Sequence, residues 1–172
     1  FKGFAWVDGI ARGLGNNEVV ITLIFFGIIM LGSDLINTPF SYYRTFVIEE
    51  KYGFNKSTKR LFFTDKLKGW MLSILLGGAI LAVILWFYNK TGAYFWIYTW
   101  IFIGLFTVFM TLFYSTLIVP LFNKQTPLED GPLKSAIHSF AEKAGFELQN
   151  IYVIDGSKRS TKANAYFSGF GS

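Results

Sequence analysis

Hydrophobic and polar residues alternate along this chain in long blocks, not with the short periods of a soluble protein. Residues 69–89 and 91–123 contain no charged side chain, and only Lys90 separates the two runs. A shorter apolar stretch at 18–37 is interrupted late by Asp34. A helix that crosses a bilayer needs about 20 consecutive apolar residues. The pattern therefore predicts an α-helical multi-pass membrane protein with three transmembrane helices, at about 18–37, 69–89 and 94–119.

The composition supports this prediction. Of the 172 residues, 52% are hydrophobic and 20% are aromatic, which is too apolar for an ordinary soluble domain. Aromatic side chains also gather at the ends of the last two predicted spans, where amphipathic rings prefer the headgroup level; they include Trp70, Trp86, Tyr88, Tyr94 and Trp96. The chain has no cysteine, so disulfides and thiolate metal sites within it are excluded.

Positive charge is concentrated in two polar segments. Of the 16 Lys and Arg residues, seven lie in the loop 38–68 and six lie in the tail 123–172, whereas residues 1–17 carry two. Because positive residues mark the cytoplasmic side of a membrane, we predict that the loop and the tail are cytoplasmic. Nucleic-acid binding is the rival explanation of the charges, but topology already accounts for them, so we expect a lipid bilayer and no nucleic acid as partner. We divide the chain into a membrane region, 1–122, and the tail.

The tail predicts the beginning of an α+β domain. Pro132 suits the first turn of a short helix that Asp130 can cap and Gly145 can end. Two β-rich stretches, 151–154 and 163–167, flank the polar turn "DGSKRSTK" and predict a β-hairpin. One helix and one hairpin bury too little apolar surface to be stable alone. We therefore expect the rest of the same polypeptide, or a partner, to complete the domain.

Three separated strings resemble the type 1 CAAX prenyl protease family, a family of integral-membrane zinc metalloendopeptidases of the gluzincin class. They are "EEKYGFNKST" at 49–58, "IVPLFNKQTPLEDGPLKSAI" at 118–137 and "IYVIDGSKRSTKANAYFSGFG" at 151–171. The resemblance implies seven membrane helices around a chamber, closed by a zinc-peptidase domain on the cytoplasmic side. This chain would then hold spans three to five and the start of that domain, in the bacterial inner membrane or the endoplasmic reticulum.

The zinc chemistry implied by the resemblance needs an HExxH helix, with two His ligands and a Glu that activates water. No HExxH occurs here, and the one histidine, His138, fits a packing or surface residue better than a ligand. We expect the zinc to be bound by residues beyond this chain, because we expect the chain to end before the HExxH motif. Phe1 is not an initiator Met, so we also expect residues upstream. We assign no metal ligand and no catalytic residue here, and we expect these residues alone to be inactive.

The stretch "NAYFSGF" matches the family's substrate-binding strand, which implies that Asn164, Ala165 and Tyr166 bind an extended peptide. The implied function is cleavage of C-terminal peptides from prenylated CAAX-type or other membrane-associated proteins. Two alternatives stay open: the strand is purely structural, or the protein is a non-enzymatic membrane scaffold or transporter component. Asp34 is either a functional residue at membrane depth or, as we favour, a residue at a wet interface.

Overall fold

The computed structural model describes residues 2–148, 150–162 and 164–167, and it is mostly helical. Its elements form two compact units, residues 1–103 and residues 104–172. In chain order the elements are α1 (Gly3–Leu14), α2 (Glu18–Tyr43), α3 (Lys59–Leu72), α4 (Gly78–Thr91), α5 (Phe95–Leu117), α6 (Val119–Phe122), β1 (Gln125–Pro127), α7 (Pro132–Lys143) and β2 (Tyr152–Ile154). A short π-helical segment, Arg44–Glu49, continues α2, and a second one, Ser73–Gly77, joins α3 to α4.

Local hydrogen bonds of polar side chains explain where helix α2 begins and accompany the proline in its interior. Its N-cap Asn17 accepts a hydrogen bond from the Val20 N–H, which satisfies one of the unpaired amides of the first turn. Pro39 lies inside the helix, although proline removes a main-chain donor. In the preceding turn the side chains of Asn37 and Thr38 donate to the carbonyls of Ser33 and Asp34, at 2.8 and 2.7 Å.

Helical structure extends well beyond the predicted spans. The loop predicted at 38–68 is helical at both ends, because α2 and its π-helical extension run to Glu49 and α3 begins at Lys59. Thr58 caps α3 by accepting a hydrogen bond from the Leu61 N–H at 3.1 Å. The two helical stretches Glu18–Glu49 and Lys59–Phe122 are long and apolar enough to cross a membrane.

The second of these stretches reverses direction at Gly92. The φ angle of Gly92 is +54°, a conformation that L side chains rarely adopt. The Phe87 ring lies 6.1 Å from the Phe102 ring, whereas a straight helix would separate residues this far apart in sequence by about 22 Å along its axis. Helix α4 and the first part of α5 therefore form a helical hairpin, and ring contacts between Phe87 and Tyr98 and between Tyr88 and Phe95 line it.

Helix α1 was not anticipated from the sequence. It packs against α2 through the rings of Phe4 and Phe25, 6.4 Å apart, and it buries Val7 and Ala11. Arg12 forms an ion pair with Asp8 at 2.9 Å and a longer one with Glu18 at 3.6 Å. Since α1 has only 12 residues, it lacks the long apolar run on which the prediction of membrane helices relied.

The short helix predicted in the tail is present as α7, with Pro132 in its first turn and Gly145, at φ +74°, just after its end. Two details differ from expectation. Asp130 does not cap the helix but accepts a hydrogen bond from Lys134 at 2.7 Å. The apolar residues Leu133, Ile137, Phe140 and Ala144, whose spacing predicts one buried helix face, are not all buried: Leu133 and Phe140 are exposed, and Ala141 is the buried residue of the helix.

The strand predicted at 151–154 is present as β2, but its partner differs from the predicted one. It pairs antiparallel with β1, so that Thr126 lies opposite Val153. The Leu128 N–H donates to the Ile151 carbonyl, and the Asp155 N–H donates to the Lys124 carbonyl, both at 2.9 Å. Residues 164–167 form no strand, and Ala163, the start of the predicted second strand, lies outside the described residues. The predicted hairpin of 151–154 with 163–167 is thus corrected, because the strand that pairs with β2 is β1. The sequence of β1 lacks the apolar alternation that is typical of a strand.

Candidate functional site

The predicted substrate-binding residues Asn164, Ala165 and Tyr166 lie on an exposed segment after β2. The Ala165 N–H donates to the neighbouring Asn164 side-chain oxygen at 2.9 Å. No main-chain hydrogen bond joins residues 164–167 to another main-chain group within the described parts of the chain. Within the described residues, this segment is therefore exposed and belongs to no strand.

The exposed segment is held on either side by residues of the same compact unit. Before it, the Arg159 guanidinium donates from Nη2 to the Phe122 carbonyl at 2.9 Å and from Nη1 to the Asn123 side-chain oxygen. After it, the Phe167 ring lies 5.5 Å from the Phe146 ring, beside the end of α7. The three predicted residues thus lie between two points of attachment.

The β1–β2 sheet is itself tied to the end of α5. Gln125, the first residue of β1, donates from its side-chain amide to the Ser115 carbonyl at 3.0 Å. The last carbonyls of an α-helix have no partner within the helix, and Ser115 lies in the last turn of α5. A side-chain donor from the sheet satisfies one of them, which fixes β1 relative to the helix end.

A second polar cluster, which the sequence did not assign, joins α2 to α3. Asp34 accepts hydrogen bonds from the Lys66 ammonium at 2.6 and 2.8 Å, and from the Trp70 indole N–H at 2.8 Å. Lys66 is mostly buried, with 18% of its side chain exposed, and Asp34 is 35% exposed. The sequence marked Asp34 as a charge in an apolar stretch, but its partners lie more than 30 residues away and no local pattern identifies them. The favoured interpretation of Asp34 as a solvated interfacial residue thus missed its partners: it is the centre of an interhelical polar cluster.

The described residues offer no obvious set of zinc ligands. No group of three His, Cys, Asp or Glu side chains is arranged to hold a metal ion in the parts of the chain that the structure describes. The single histidine, His138, lies exposed on α7. The carboxylates nearest to it in sequence lie on the same helix or just before it, and one of them, Asp130, is paired with Lys134.

Comparison with known proteins decides the family. The family described as "CAAX prenyl protease N-terminal, five membrane helices" matches residues 1–124. The chain belongs to this CAAX prenyl protease family. It is accordingly a multi-pass integral membrane protein of mostly helical structure, as the hydropathy pattern predicted, and the predicted family is confirmed.

Curated CAAX prenyl proteases agree with this assignment. The chain is 45% identical over 155 residues to CAAX prenyl protease 1 homolog of Arabidopsis thaliana, and the aligned region covers 90% of this chain and 37% of the plant protein. It is 44% identical over 153 residues to CAAX prenyl protease 1 of Saccharomyces cerevisiae, and this aligned region covers 89% of this chain and 34% of the yeast protein. The chain therefore spans little more than a third of the length of these relatives.

The fold agrees as well. The crystal structure of S. mikatae Ste24p superimposes with a TM-score of 0.90 at 42% sequence identity, covering 98% of this chain and 40% of that protein. The similarity thus includes the tail as well as the membrane helices of this CAAX prenyl protease family member.

Proposed function

We propose that the whole protein is a membrane-embedded endopeptidase that cleaves C-terminal peptides from prenylated CAAX-type proteins or other membrane-associated proteins. The observation that carries the proposal is the family match over residues 1–124, which is supported by 45% identity to a curated plant CAAX prenyl protease 1 homolog. The partners of this chain would be the peptide substrate, the lipid bilayer and the rest of the same polypeptide.

We propose three membrane spans in this chain, with the hairpin of α4 and α5 contributing two of them. The basic residues around α3 and in the tail favour a cytoplasmic peptidase side. Of the two membranes predicted, the endoplasmic reticulum is favoured by relatives from a plant and a yeast. Single cysteines at Lys59 and Asn89 should label from opposite faces of sealed vesicles, and labelling of both from one face would contradict this topology.

We propose zinc as the cofactor of the whole protein, with its ligands supplied outside these 172 residues. The motif expected from the family, HExxH, does not occur in residues 1–172, and His138 is their only histidine. No chemical step is therefore assigned to residues of this chain. Their proposed role is to hold the substrate, while bond cleavage belongs to the rest of the polypeptide.

We propose that residues 164–166 hold the substrate by pairing main chain to main chain, as an added strand. Main-chain hydrogen bonds give such binding its affinity, and an extended peptide exposes its scissile carbonyl. The exposure of Asn164 and Tyr166 and the uncommitted main chain of this segment support the proposal. On binding, the Ala165 N–H would exchange its bond with the Asn164 side chain for one with the peptide.

The test is cleavage of a farnesylated CAAX peptide, followed by mass spectrometry, with the whole polypeptide that carries this chain. We expect cleavage by the wild type. Ala165→Pro removes a main-chain N–H and should raise KM strongly, whereas Asn164→Ala should change KM by the equivalent of about 1 kcal/mol, one hydrogen bond.

Two results would contradict the proposal. A wild-type protein that cleaves neither farnesylated nor unmodified peptides would favour a scaffold or transporter component instead. A folded Ala165→Pro protein with unchanged kinetics would show that the peptide pairs elsewhere and that residues 164–166 are structural.

A further inference from the structure

Arg159 makes long-range polar contacts in the tail. Its guanidinium reaches back 36 and 37 residues, to the Asn123 side-chain oxygen and to the Phe122 carbonyl at 2.9 Å. Phe122 is the last residue of α6, where main-chain carbonyls lack partners within the helix. Arg159 therefore bonds directly to the helix end that precedes the sheet.

The geometry of these contacts suits arginine specifically. The two acceptors belong to neighbouring residues, and separate guanidinium nitrogens, Nη1 and Nη2, donate to them. A planar guanidinium presents its donors in a fixed fork, whereas a lysine ammonium is a compact charge on a flexible stem. Lysine at this position would keep the charge but would not reproduce both bonds at once.

The contacts also fix the path of the chain towards the candidate site. At Asp155 the chain is bonded to the Lys124 carbonyl, next to β1, and at Arg159 it is bonded to the end of α6. Five residues later come Asn164, Ala165 and Tyr166, and then Phe167 packs on Phe146. Arg159 and Phe167 are thus two attachments that flank these residues.

We infer that Arg159 is a positioning residue for substrate binding: by fastening the turn after β2 to the end of α6, it sets where residues 164–166 meet the peptide. The inference rests on the proposed function and adds to it a residue that touches no substrate. A binding segment displaced by about 1 Å can lose much of its contribution. Because main-chain pairing with the peptide exists before and during the reaction, its loss raises KM and leaves kcat nearly unchanged.

The experiment measures kcat and KM for a farnesylated CAAX peptide with the whole polypeptide carrying Arg159→Ala, Arg159→Lys or the control Lys158→Ala. Lys158 is the neighbouring cation in the same turn, and its side chain makes no hydrogen bond or ion pair with the described residues. We expect Arg159→Ala to raise KM on the order of tenfold. Arg159→Lys should rescue KM only in part, and Lys158→Ala should leave it unchanged.

The split between KM and kcat separates positioning from a purely structural role. If Arg159 only stabilised the fold, its loss would lower the active fraction, so kcat per protein would fall at unchanged KM. That result, or a folded Arg159→Ala protein with wild-type KM, would overturn the inference. If Arg159→Ala does not fold, Asn123→Ala decides: a roughly threefold rise in KM supports the inference and an unchanged KM overturns it.

Failure of the proposed function is recognisable in the same assay. A wild-type protein that cleaves no peptide would remove the proposed function, and the inference would fall with it. A wild-type protein that cleaves the peptide, combined with an unchanged KM in the folded Arg159→Ala variant, would remove the inference alone.

Discussion

The polar bonds within the first compact unit of this chain differ in kind from those within the second. In residues 1–103, the link between α2 and α3 is an ion pair between side chains, Asp34 and Lys66, completed by the Trp70 indole. In residues 104–172, two links instead run from side chains to main-chain carbonyls at helix ends, from Gln125 to Ser115 and from Arg159 to Phe122. Arg159 also donates to the Asn123 side chain, and the ion pair of this unit, Asp130 with Lys134, lies on its exposed surface.

The difference follows from the surroundings of each link. Among apolar helices a charge has few alternative partners, so a carboxylate is stabilised by an ammonium and an indole N–H that reach it together. Near the sheet, helix ends offer unpaired carbonyls that neutral or charged donors can satisfy. The comparison teaches that removing one partner should cost more in the first unit, where it leaves a charge, than in the second.

Lys66→Met gives the largest expected effect on stability. It leaves the half-buried Asp34 carboxylate with the Trp70 indole but without its cation, and we expect a loss of about 1–3 kcal/mol. The measurement is the free energy of unfolding in detergent micelles. Lys56→Met is the matched control, because Lys56 is an exposed cation of the same basic region and should change stability by less than about 0.5 kcal/mol. Equal effects of the two variants would break the comparison.

Gln125→Ala sharpens the comparison from the side of the tail. The Ser115 carbonyl loses a neutral donor and no charge is left without a partner, so the expected loss is about 1 kcal/mol, smaller than that of Lys66→Met. Thr126→Ala, at an exposed neighbour in β1, is the control. The same unfolding measurement applies, and a Gln125→Ala loss larger than that of Lys66→Met would contradict the proposed order.

The Asp130–Lys134 pair at the start of α7 gives the smallest effect, because Asp130 is fully exposed. The hydrogen bond and charge of Lys134 hold the pKa of the Asp130 carboxyl below its usual value of 3.8. A depressed carboxyl pKa means that the pair contributes stability above the usual pKa and loses it as the pH falls through the lower, folded value. An NMR titration should show the Asp130 pKa rising towards its usual value in Lys134→Ala, and no rise would contradict the pairing.

The elements that the sequence predicted well are those that local pattern determines. Uncharged runs predicted the helices that became α4 and α5, and Pro132 with Gly145 marked the limits of α7. A long apolar run has few other ways to satisfy its main chain in a membrane. The family was also predictable, because three separate strings carried it.

The features that escaped prediction depend on contacts between distant residues. Nothing in the sequence around Gln125 predicts that it pairs with β2, and nothing near Asp34 identifies Lys66 as its partner. The roles predicted for Asn164, Ala165 and Tyr166 stay predictions. The structure adds that this segment is exposed and is held at Arg159 and Phe167. The sequence could not predict these contacts, because their partners are distant along the chain.

We propose above all that the segment containing Tyr166 contacts the substrate. The most direct test places p-benzoylphenylalanine at Tyr166 of the whole polypeptide and irradiates it with a farnesylated CAAX peptide. The control position is Phe140, which is 74% exposed on α7. We expect crosslinking from position 166 that competing peptide without the photoprobe's label abolishes, and no such crosslinking from position 140. Equal crosslinking from both positions, or crosslinking from 140 alone, would contradict it.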